Sequence, residues 1–416
     1  MTRKNVLLLT TYFPPSNLIA ARRSYGLVKY LPENNWNPYV ITIKWTNDID
    51  KMGIDPSIEP MVQNRESITR VPYRPNKYYP LFSKLWRWRR VLLFPQTQPY
   101  DYFKNTMNLF PEYLEKNKID AIWATSPYPS PHLLANKLCR KFNIPWVADF
   151  RDWWDQKYLG GNKYSLRNMQ SIATKLVQNC NVITSVSPAL VEKIQNITDK
   201  KVICIYNGFD PDEYNSLPEC TDHNFFTVVY TGRFILPQRS PASVFSALEL
   251  LLTNGYIDPN NLKLVFYGSD RNSVTELLKK RTVKQCCEFK PAIPHSQVPA
   301  IQKTATILLH LSHPTEKGIM TGKIFEYLAA RRPILSVPGD NDCVDNLLNE
   351  TKAGCSRKSI EDIAGQIKEW YAEWKQTGNV KYYGFSSAIK QYSYPEMARQ
   401  TAELLDKIIE RPRCLI

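Results

Sequence analysis

The chain of 416 residues carries 54 Lys and Arg against 39 Asp and Glu, a formal net charge of +15, with 43% apolar and 22% charged residues. That length exceeds one ordinary core and suits two domains of about 200 residues each, while a composition without low-complexity tracts excludes extended disorder. The basic excess points to anionic partners, and nine cysteines without a C-x-x-C pair read as reduced thiols of a cytoplasmic protein, excluding a disulfide framework or a Cys-rich zinc site.

The opening apolar run VLLLT (6–10) meets polar residues and Pro14-Pro15, too short for a signal-peptide core. No stretch is long and apolar enough to span a bilayer. Short buried-type runs follow one another through the first half: NVLLLTTY (5–12), YVITIKW (39–45), AIWATSP (121–127), WVADFRD (146–152), NVITSVS (181–187) and KVICIYNG (201–208). Each ends in turn residues and precedes a helix-like stretch, the pattern of a parallel sheet covered on both faces.

Between the second and third runs, Ser67 to Tyr100 holds seven Arg or Lys, eight aromatics and no acid, including LFSKLWRWRRVLLF (81–94). Trp and Arg together suit the headgroup region of an anionic membrane. A solvated insertion with its stem packed in the core is the equal alternative, because Arg89 falls within the apolar arc. A single-stranded nucleic acid platform ranks below both, since the rest of the chain has no nucleic-acid motif.

FDPDEYNSLPECTDHN (209–224) reads as a linker, after which the pattern restarts with FTVVYTGRF (226–234), LKLVFYGSD (262–270), ATILLHLS (305–312) and RPILSVPG (332–339). The expected fold class is α/β: two tandem Rossmann-like doubly wound domains facing a cleft, 1–210 and 225–390, with 391–416 forming a C-terminal helix that packs back on the first domain.

In such sheets ligands sit beyond the carboxyl ends of the strands, so the residues there carry the chemistry. In ADFRDWW, Asp149, Arg151 and Asp152 follow an apolar run, where unpaired charges would cost several kcal/mol. They are candidates for a cleft role, the alternative being an Asp–Arg pair that shapes the loop.

In the second half, Gly232 and Arg233 close one strand and Arg239 precedes a helix. Two guanidinium groups so placed could clamp a diphosphate, or be surface arginines beside a turn. Gly268 and Ser269 close the next strand, where a glycine admits a ligand to the backbone or simply makes a turn. His295 precedes another helix and could face a nucleobase, or be a cap.

GIMTGKIFEYLAARRPIL (318–335) fails as a P-loop, since three residues, not four, separate Gly318 from Gly322 and Lys323 is followed by Ile324. Ile324, Phe325, Leu328 and Ala329 form an apolar stripe that would seat a helix ended by Pro333, with the first amides, from Thr321 through Gly322 to Lys323, turned to the strand ends. Glu326, outside the stripe, could accept from ribose hydroxyls or be an exposed helix glutamate.

Several chemistries lack support. There is no G-x-G-x-x-G for a dehydrogenase and no G-x-S-x-G for a hydrolase. His310 and His313 have no carboxylate companion at metal-ligand spacing, and the Asp-x-Asp triplets at 210–212 and 340–342 suit turns as well as metals.

Together these motifs resemble the group 1 (family 4) glycosyltransferases of GT-B fold, from residue 6 to about residue 400. LLLTTYFPP resembles their opening strand and loop, WVADFRDWW their Asp-x-Arg-Asp-x-Trp motif, and ITSVSPAL with IYNGFDPDEY the segment entering the linker; YSYPEMARQTAELLDKII (392–409) resembles the final helix. VVYTGRF with RSP resembles the donor-diphosphate clamp, which falls on Arg233 and Arg239. GKIFEYLAARRPIL resembles the helix whose glutamate holds the donor ribose, here Glu326.

Arg151 occupies the place where many relatives carry a catalytic-site histidine. Many relatives also carry a sugar-contacting glutamate eight residues before the ribose one, where this chain has Gly318, with Glu316 out of register. SNLIAARR (16–23) replaces the usual Gly-Gly of the first loop.

The resemblance implies transfer of a sugar from a nucleoside diphosphate sugar, as donor substrate and without cofactor or metal, with retention of anomeric configuration. The expected acceptor is a lipid-linked or membrane-proximal glycan in cell-surface polysaccharide assembly. An anionic inner membrane face would be met through 67–100, and no nucleic acid is expected. A nucleotide-sugar epimerase of the same fold and a non-catalytic nucleotide-sugar-binding relative are the alternatives.

Overall fold

The computed structural model describes residues 3–44, 53–59, 62, 67–72, 100–153, 171, 173–176, 178–218, 224–313 and 316–410. The basic aromatic stretch at 81–94, with most of the 67–100 segment, lies outside the described residues. The chain divides into two compact units, Met1–Asn207 with Tyr394–Ile416, and Gly208–Ser393.

The first unit is built on seven parallel strands, β1 (Lys4–Leu9), β2 (Trp36–Ile43), β3 (Ile68–Val71), β4 (Ala121–Thr125), β5 (Trp146–Phe150), β6 (Val182–Ser185) and β7 (Val202–Cys204), in the order β3-β2-β1-β4-β5-β6-β7. Central strands such as β4 and β5 are buried along their whole length, as a sheet covered on both faces requires. Pro38 lies within β2 opposite Val6, but pairing with β3 begins only at Val40. The proline stands where no third strand asks for its missing N–H.

One apolar layer gathers Leu7, Ile41, Leu134 and Trp146, and the opposite layer gathers Val6, Leu8, Tyr25 and Leu405. The C-terminal helix Tyr394–Glu410 belongs to this unit and closes the second layer with Tyr394, Met397, Leu404 and Leu405. It lies so near the helix Ile19–Tyr30 that a Cβ at Gly26 would come within 2.6 Å of the Tyr394 ring. Glycine there permits the close approach.

The second unit repeats the plan with β8 (Phe226–Thr231), β9 (Leu262–Tyr267), β10 (Cys287–Lys290), β11 (Ile307–Leu311), β12 (Ile334–Val337) and β13 (Gly354–Ser356), all parallel, in the order β10-β9-β8-β11-β12-β13. Chain order reverses between β8 and β11, the point of such a sheet at which a crevice opens beyond the strand ends. The helix Ala242–Thr253 buries Phe245, Leu248 and Leu251 against Phe226, Leu264 and Leu309.

Two sequence expectations need correction. The linker reading of 209–224 fails at its start, because Asp212–Asn215 is helical and Tyr214 is buried at 2% exposure. The second unit accordingly opens at Gly208, not at residue 225, and extends to Ser393. The helix after Gly322 ends at Ala330, with Arg331 taking a left-handed turn at φ 56°, so the chain leaves the helix before Pro333 instead of being stopped by it.

Candidate functional site

In the first unit, Asp149 ends its apolar strand as an interior anchor. Its carboxylate accepts from Arg23 Nε at 3.0 Å and Nη2 at 2.9 Å, and from the hydroxyls of Thr125 at 2.7 Å and Thr184 at 2.8 Å. Burial alone would raise its pKa, but Arg23 and the two hydroxyls outweigh that and hold it below the usual carboxylate range. A cleft role for Asp149 is therefore not what its geometry serves. Arg23, the last residue of SNLIAARR, was not singled out by sequence reasoning; it is itself only 1% exposed and also donates to the Tyr206 carbonyl at 3.0 Å.

Arg151 and Asp152 lie just beyond, bonded to one another. That pair matches the loop-shaping alternative, and it leaves the Arg151 Nε, enclosed by protein, without a hydrogen-bond partner among the described residues. The Asp152 amide is held by the Ser126 hydroxyl at 3.2 Å.

The second unit brings most of the other candidates together where β8 and β11 diverge. Gly232 follows β8 with φ 144°, and a Cβ there would fall 2.0 Å from Lys323 Cε and 2.5 Å from Nζ. The absent side chain is thus the space that Lys323 fills. The ammonium lies 5.6 Å from the centre of the Tyr230 ring, a cation–π arrangement. Burial, and after it the neighbouring Arg239 charge, lowers the Lys323 pKa to about 8, while Glu326 acts in the opposite direction. Part of the lysine remains open to solvent.

Arg239 is fixed by its own turn, its amide donating to the Ile235 carbonyl at 2.7 Å. Its enclosed Nε has no hydrogen-bond partner among the described residues. Arg233 behaves differently, since its side chain is exposed and only its carbonyl is used, accepting from the Tyr230 hydroxyl at 2.9 Å.

Gly268 takes φ 78° and donates its amide to the Lys290 carbonyl at 3.0 Å, while the neighbouring Ser269 hydroxyl bonds to the Gly232 carbonyl. Ser269 therefore braces the turn that carries Gly232, while Gly268 ties its own turn to β10. His295 bonds through Nε2 to Glu213 at 3.0 Å, both side chains nearly buried, so this nitrogen faces a carboxylate of its own unit.

Thr321 precedes the helix Gly322–Ala330, but its hydroxyl does not cap it. It bonds instead to His310 Nε2 at 3.1 Å, whose Nδ1 meets the Ser336 hydroxyl at 2.9 Å. Burial, then the Lys323 and Arg239 charges, lowers the His310 pKa to about 3, so the ring is neutral at physiological pH. Withdrawal of Thr321 leaves the first amides of the helix without a side-chain cap beside Lys323, an arrangement receptive to an anion.

One turn further in, Glu326 accepts from Gln302 Nε2 at 3.2 Å. Gln302 and Tyr214 were missed as site residues, because a glutamine and a tyrosine in a turn-rich stretch give no local pattern, and His310 was weighed with His313 only as a metal ligand.

At Gly318 the backbone has φ 79° and its amide donates to Asp342. That conformation disfavours any side chain, so the departure from glutamate coincides with a backbone shape a glutamate would resist. The Asp-x-Asp triplets resolve as turns: Asp210 accepts from the Asp212 amide at 3.1 Å, and Asp340 from the Asp342 amide at 3.0 Å.

Two parallel-sheet Rossmann-like units in tandem, the second with a cationic helix start at its topological switch point, define the GT-B class. The description Glycosyltransferase Family 4 matches residues 20–213 and Glycosyl transferase-like matches residues 257–403. The chain belongs to the group 1 (family 4) glycosyltransferases of GT-B fold.

Among solved structures it is similar to sucrose-phosphate synthase from Thermosynechococcus elongatus, at 13% identity and TM-score 0.63 over 97% of this chain and 99% of that one. It is similar also to Anabaena HepE in complex with UDP-glucose, at 13% identity and TM-score 0.64 over 97% and 99%. A third is S. aureus TarM with fondaparinux, α-GlcNAc-glycerol and UDP, at 11% identity and TM-score 0.61 over 97% and 100%. A search of curated protein sequences gave no match.

Proposed function

We propose that this glycosyltransferase takes its sugar from a nucleoside diphosphate sugar and passes it to a lipid-linked or membrane-proximal glycan in cell-surface polysaccharide assembly. The observation that carries the donor reading is the pairing of Lys323, seated in the space above Gly232, with Arg239: burial and then the Arg239 charge lower the lysine pKa, and the Arg239 Nε has no partner among the described residues. Such a pair is electrostatically unfavourable by itself and becomes favourable around a dianionic or trianionic group. A diphosphate meets that requirement, and we assign to Glu326 the hydroxyls of an attached ribose.

HepE bound to UDP-glucose and TarM bound to UDP support the same donor class. As the glycosidic bond breaks, negative charge grows on the departing diphosphate. Lys323, Arg239 and the uncapped amides of the helix start face that charge, so they stabilise the transition state more than the ground state. They would supply the charge compensation that other transferases take from a divalent ion.

Retention of configuration, action without metal, and peripheral attachment to an anionic membrane complete the proposal. Ligand contacts fall to Gly232, Gly268, Ser269, Thr321, Gly322, Lys323 and Glu326. Arg233, exposed, would join the diphosphate only by folding inward. Arg151 and Asp152 are proposed on the acceptor side, and His295, engaged with Glu213, would need its other nitrogen or its ring face to meet a base.

Arg239→Ala is expected to retain the wild-type Tm within a degree or two and to lose about 100-fold in turnover, the scale for removing one preorganised donor from a developing anion. Transfer at near wild-type rate by that variant, measured by release of nucleoside diphosphate with glycosylated acceptor, would remove the clamp.

A further inference from the structure

We infer that Gln302, held by Tyr214, is a positioning residue that fixes the carboxylate of Glu326 for recognition of the donor ribose; this rests on the ribose role proposed above for Glu326. Gln302 has no accessible surface, and each of its polar groups is engaged. Nε2 donates to Thr231 Oγ1 at 3.0 Å and to Glu326 Oε2 at 3.2 Å, while Oε1 accepts from the Tyr214 hydroxyl at 2.7 Å.

The orientation of this amide follows from its neighbours. An ionised carboxylate only accepts, so the nitrogen must face Glu326. The carbonyl oxygen is thereby directed at Tyr214, which has a proton to give. Turning the amide over would set its oxygen against the carboxylate and lose that match, while the Tyr214 hydroxyl could accept from the nitrogen as readily as it donates to the oxygen, so Glu326 alone decides the orientation. The two hydrogens of Nε2 are spent on Thr231 at the end of β8 and on Glu326 in the helix Gly322–Ala330, which follows β11, so one buried side chain ties the strand end to that helix.

Gln302 is itself held in place on the short helix Val298–Lys303. Beside it the Lys303 ammonium donates to the Leu217 carbonyl at 2.8 Å, and the Lys303 carbonyl accepts from Arg332 Nε at 2.9 Å. The consequence for Glu326 is asymmetric. Oε2 is anchored within the unit, and the carboxylate has lost the rotamer freedom that a helix glutamate ordinarily keeps. Its second oxygen then meets a ribose hydroxyl without a further ordering cost, which is the advantage of a preorganised site.

The test measures binding of the four common ribonucleoside diphosphates and their 2′,3′-dideoxy counterparts to the full chain by titration calorimetry. The protein compared is wild type, Glu326→Gln, Gln302→Met and Tyr214→Phe, with the Tm of each recorded. Wild type should prefer the ribose form of its best base by about 10-fold or more, the discrimination of a site built to bond a hydroxyl.

Gln302→Met, close in volume but without hydrogen bonds, should reduce that preference about five-fold and leave affinity for the dideoxy form unchanged. Tyr214→Phe should reduce it about two-fold in the same pattern. If Gln302→Met fails to fold, Tyr214→Phe alone carries the test.

A wild-type preference in both Gln302→Met and Tyr214→Phe, or an equal loss of affinity for both sugar forms, would overturn the positioning role while leaving the ribose role of Glu326 intact. A wild type or a Glu326→Gln protein with unchanged preference relative to one another would overturn the ribose role itself, and the inference with it.

Discussion

Lys323 makes donor binding a proton-linked event. In the free protein, burial and the Arg239 charge hold its pKa at about 8, against 10.5 for an ordinary lysine. A diphosphate seated between the two cations favours the ammonium and draws the pKa back toward the ordinary value. Below pH 8 the lysine is charged both with and without ligand, so affinity is independent of this group. Above pH 8 the free form loses its proton while the bound form keeps it, and affinity should fall about 10-fold per pH unit until the bound pKa is reached.

The whole interval from about 8 to 10.5 sets a ceiling of roughly 3 kcal/mol, which partial solvent exposure of the side chain reduces. The unliganded protein shows the reverse dependence. Its folded-state pKa is depressed, so this lysine contributes an increase in stability as pH rises from about 8 towards 10.5.

Calorimetric titration of the best-binding nucleoside diphosphate at pH 8 to 9, repeated in buffers of different ionisation enthalpy, should register net proton uptake. Uptake should disappear in Lys323→Met. A flat affinity profile between pH 7 and 9.5, with no uptake in the wild type, would refute the placement of phosphate beside Lys323.

Gly232→Ala should displace the end of Lys323, because the added Cβ would meet Cε at 2.0 Å. The lysine tip can swing aside, but the backbone at φ 144° remains strained by about 1–3 kcal/mol, so Tm should fall modestly and nucleotide affinity sharply; thermal shift with and without nucleotide separates the two. Asp149→Ala should lower the stability of the first unit by about 3–5 kcal/mol, the cost of leaving one member of a buried pair uncompensated, read as the denaturant midpoint. Binding to anionic vesicles should be salt-sensitive and weaken when Trp86, Arg87, Trp88 and Arg89 are replaced together. Unchanged cosedimentation of that variant would remove the membrane role.

The strands most legible in the sequence are those buried on both faces, such as AIWAT and WVADF. The strands β3, β10 and β13 were missed; each lies at a sheet edge or is only partly covered, so it carries a weaker apolar run. The edge strand β7 was found all the same, because KVICIYNG holds an unbroken apolar run that ends in a turn signal.

Within the site, Gly232, Lys323 and Glu326 could be found from strand ends and a helix start. What Gly232 does could not, since its reason is the lysine of another element. Thr231 and Gln302 are 71 residues apart and Arg23 and Asp149 are 126 apart; such pairs arise from topology and leave no local spacing to read. The Asp149 reading erred for the same reason: charges after an apolar run were recognised as needing partners, but the partner was Arg23 and the place was the interior.

The central claim is that the cationic pair at the switch point of the second unit holds the diphosphate of a nucleotide sugar. Its most direct measurement is the thermal stabilisation of wild type and Lys323→Met by a panel of nucleoside diphosphates and their sugars. At least one nucleotide should raise the wild-type Tm by several degrees at saturating ligand, and the same nucleotide should raise that of Lys323→Met far less. No shift from any nucleotide in the panel, or equal shifts in the two proteins, would contradict the account.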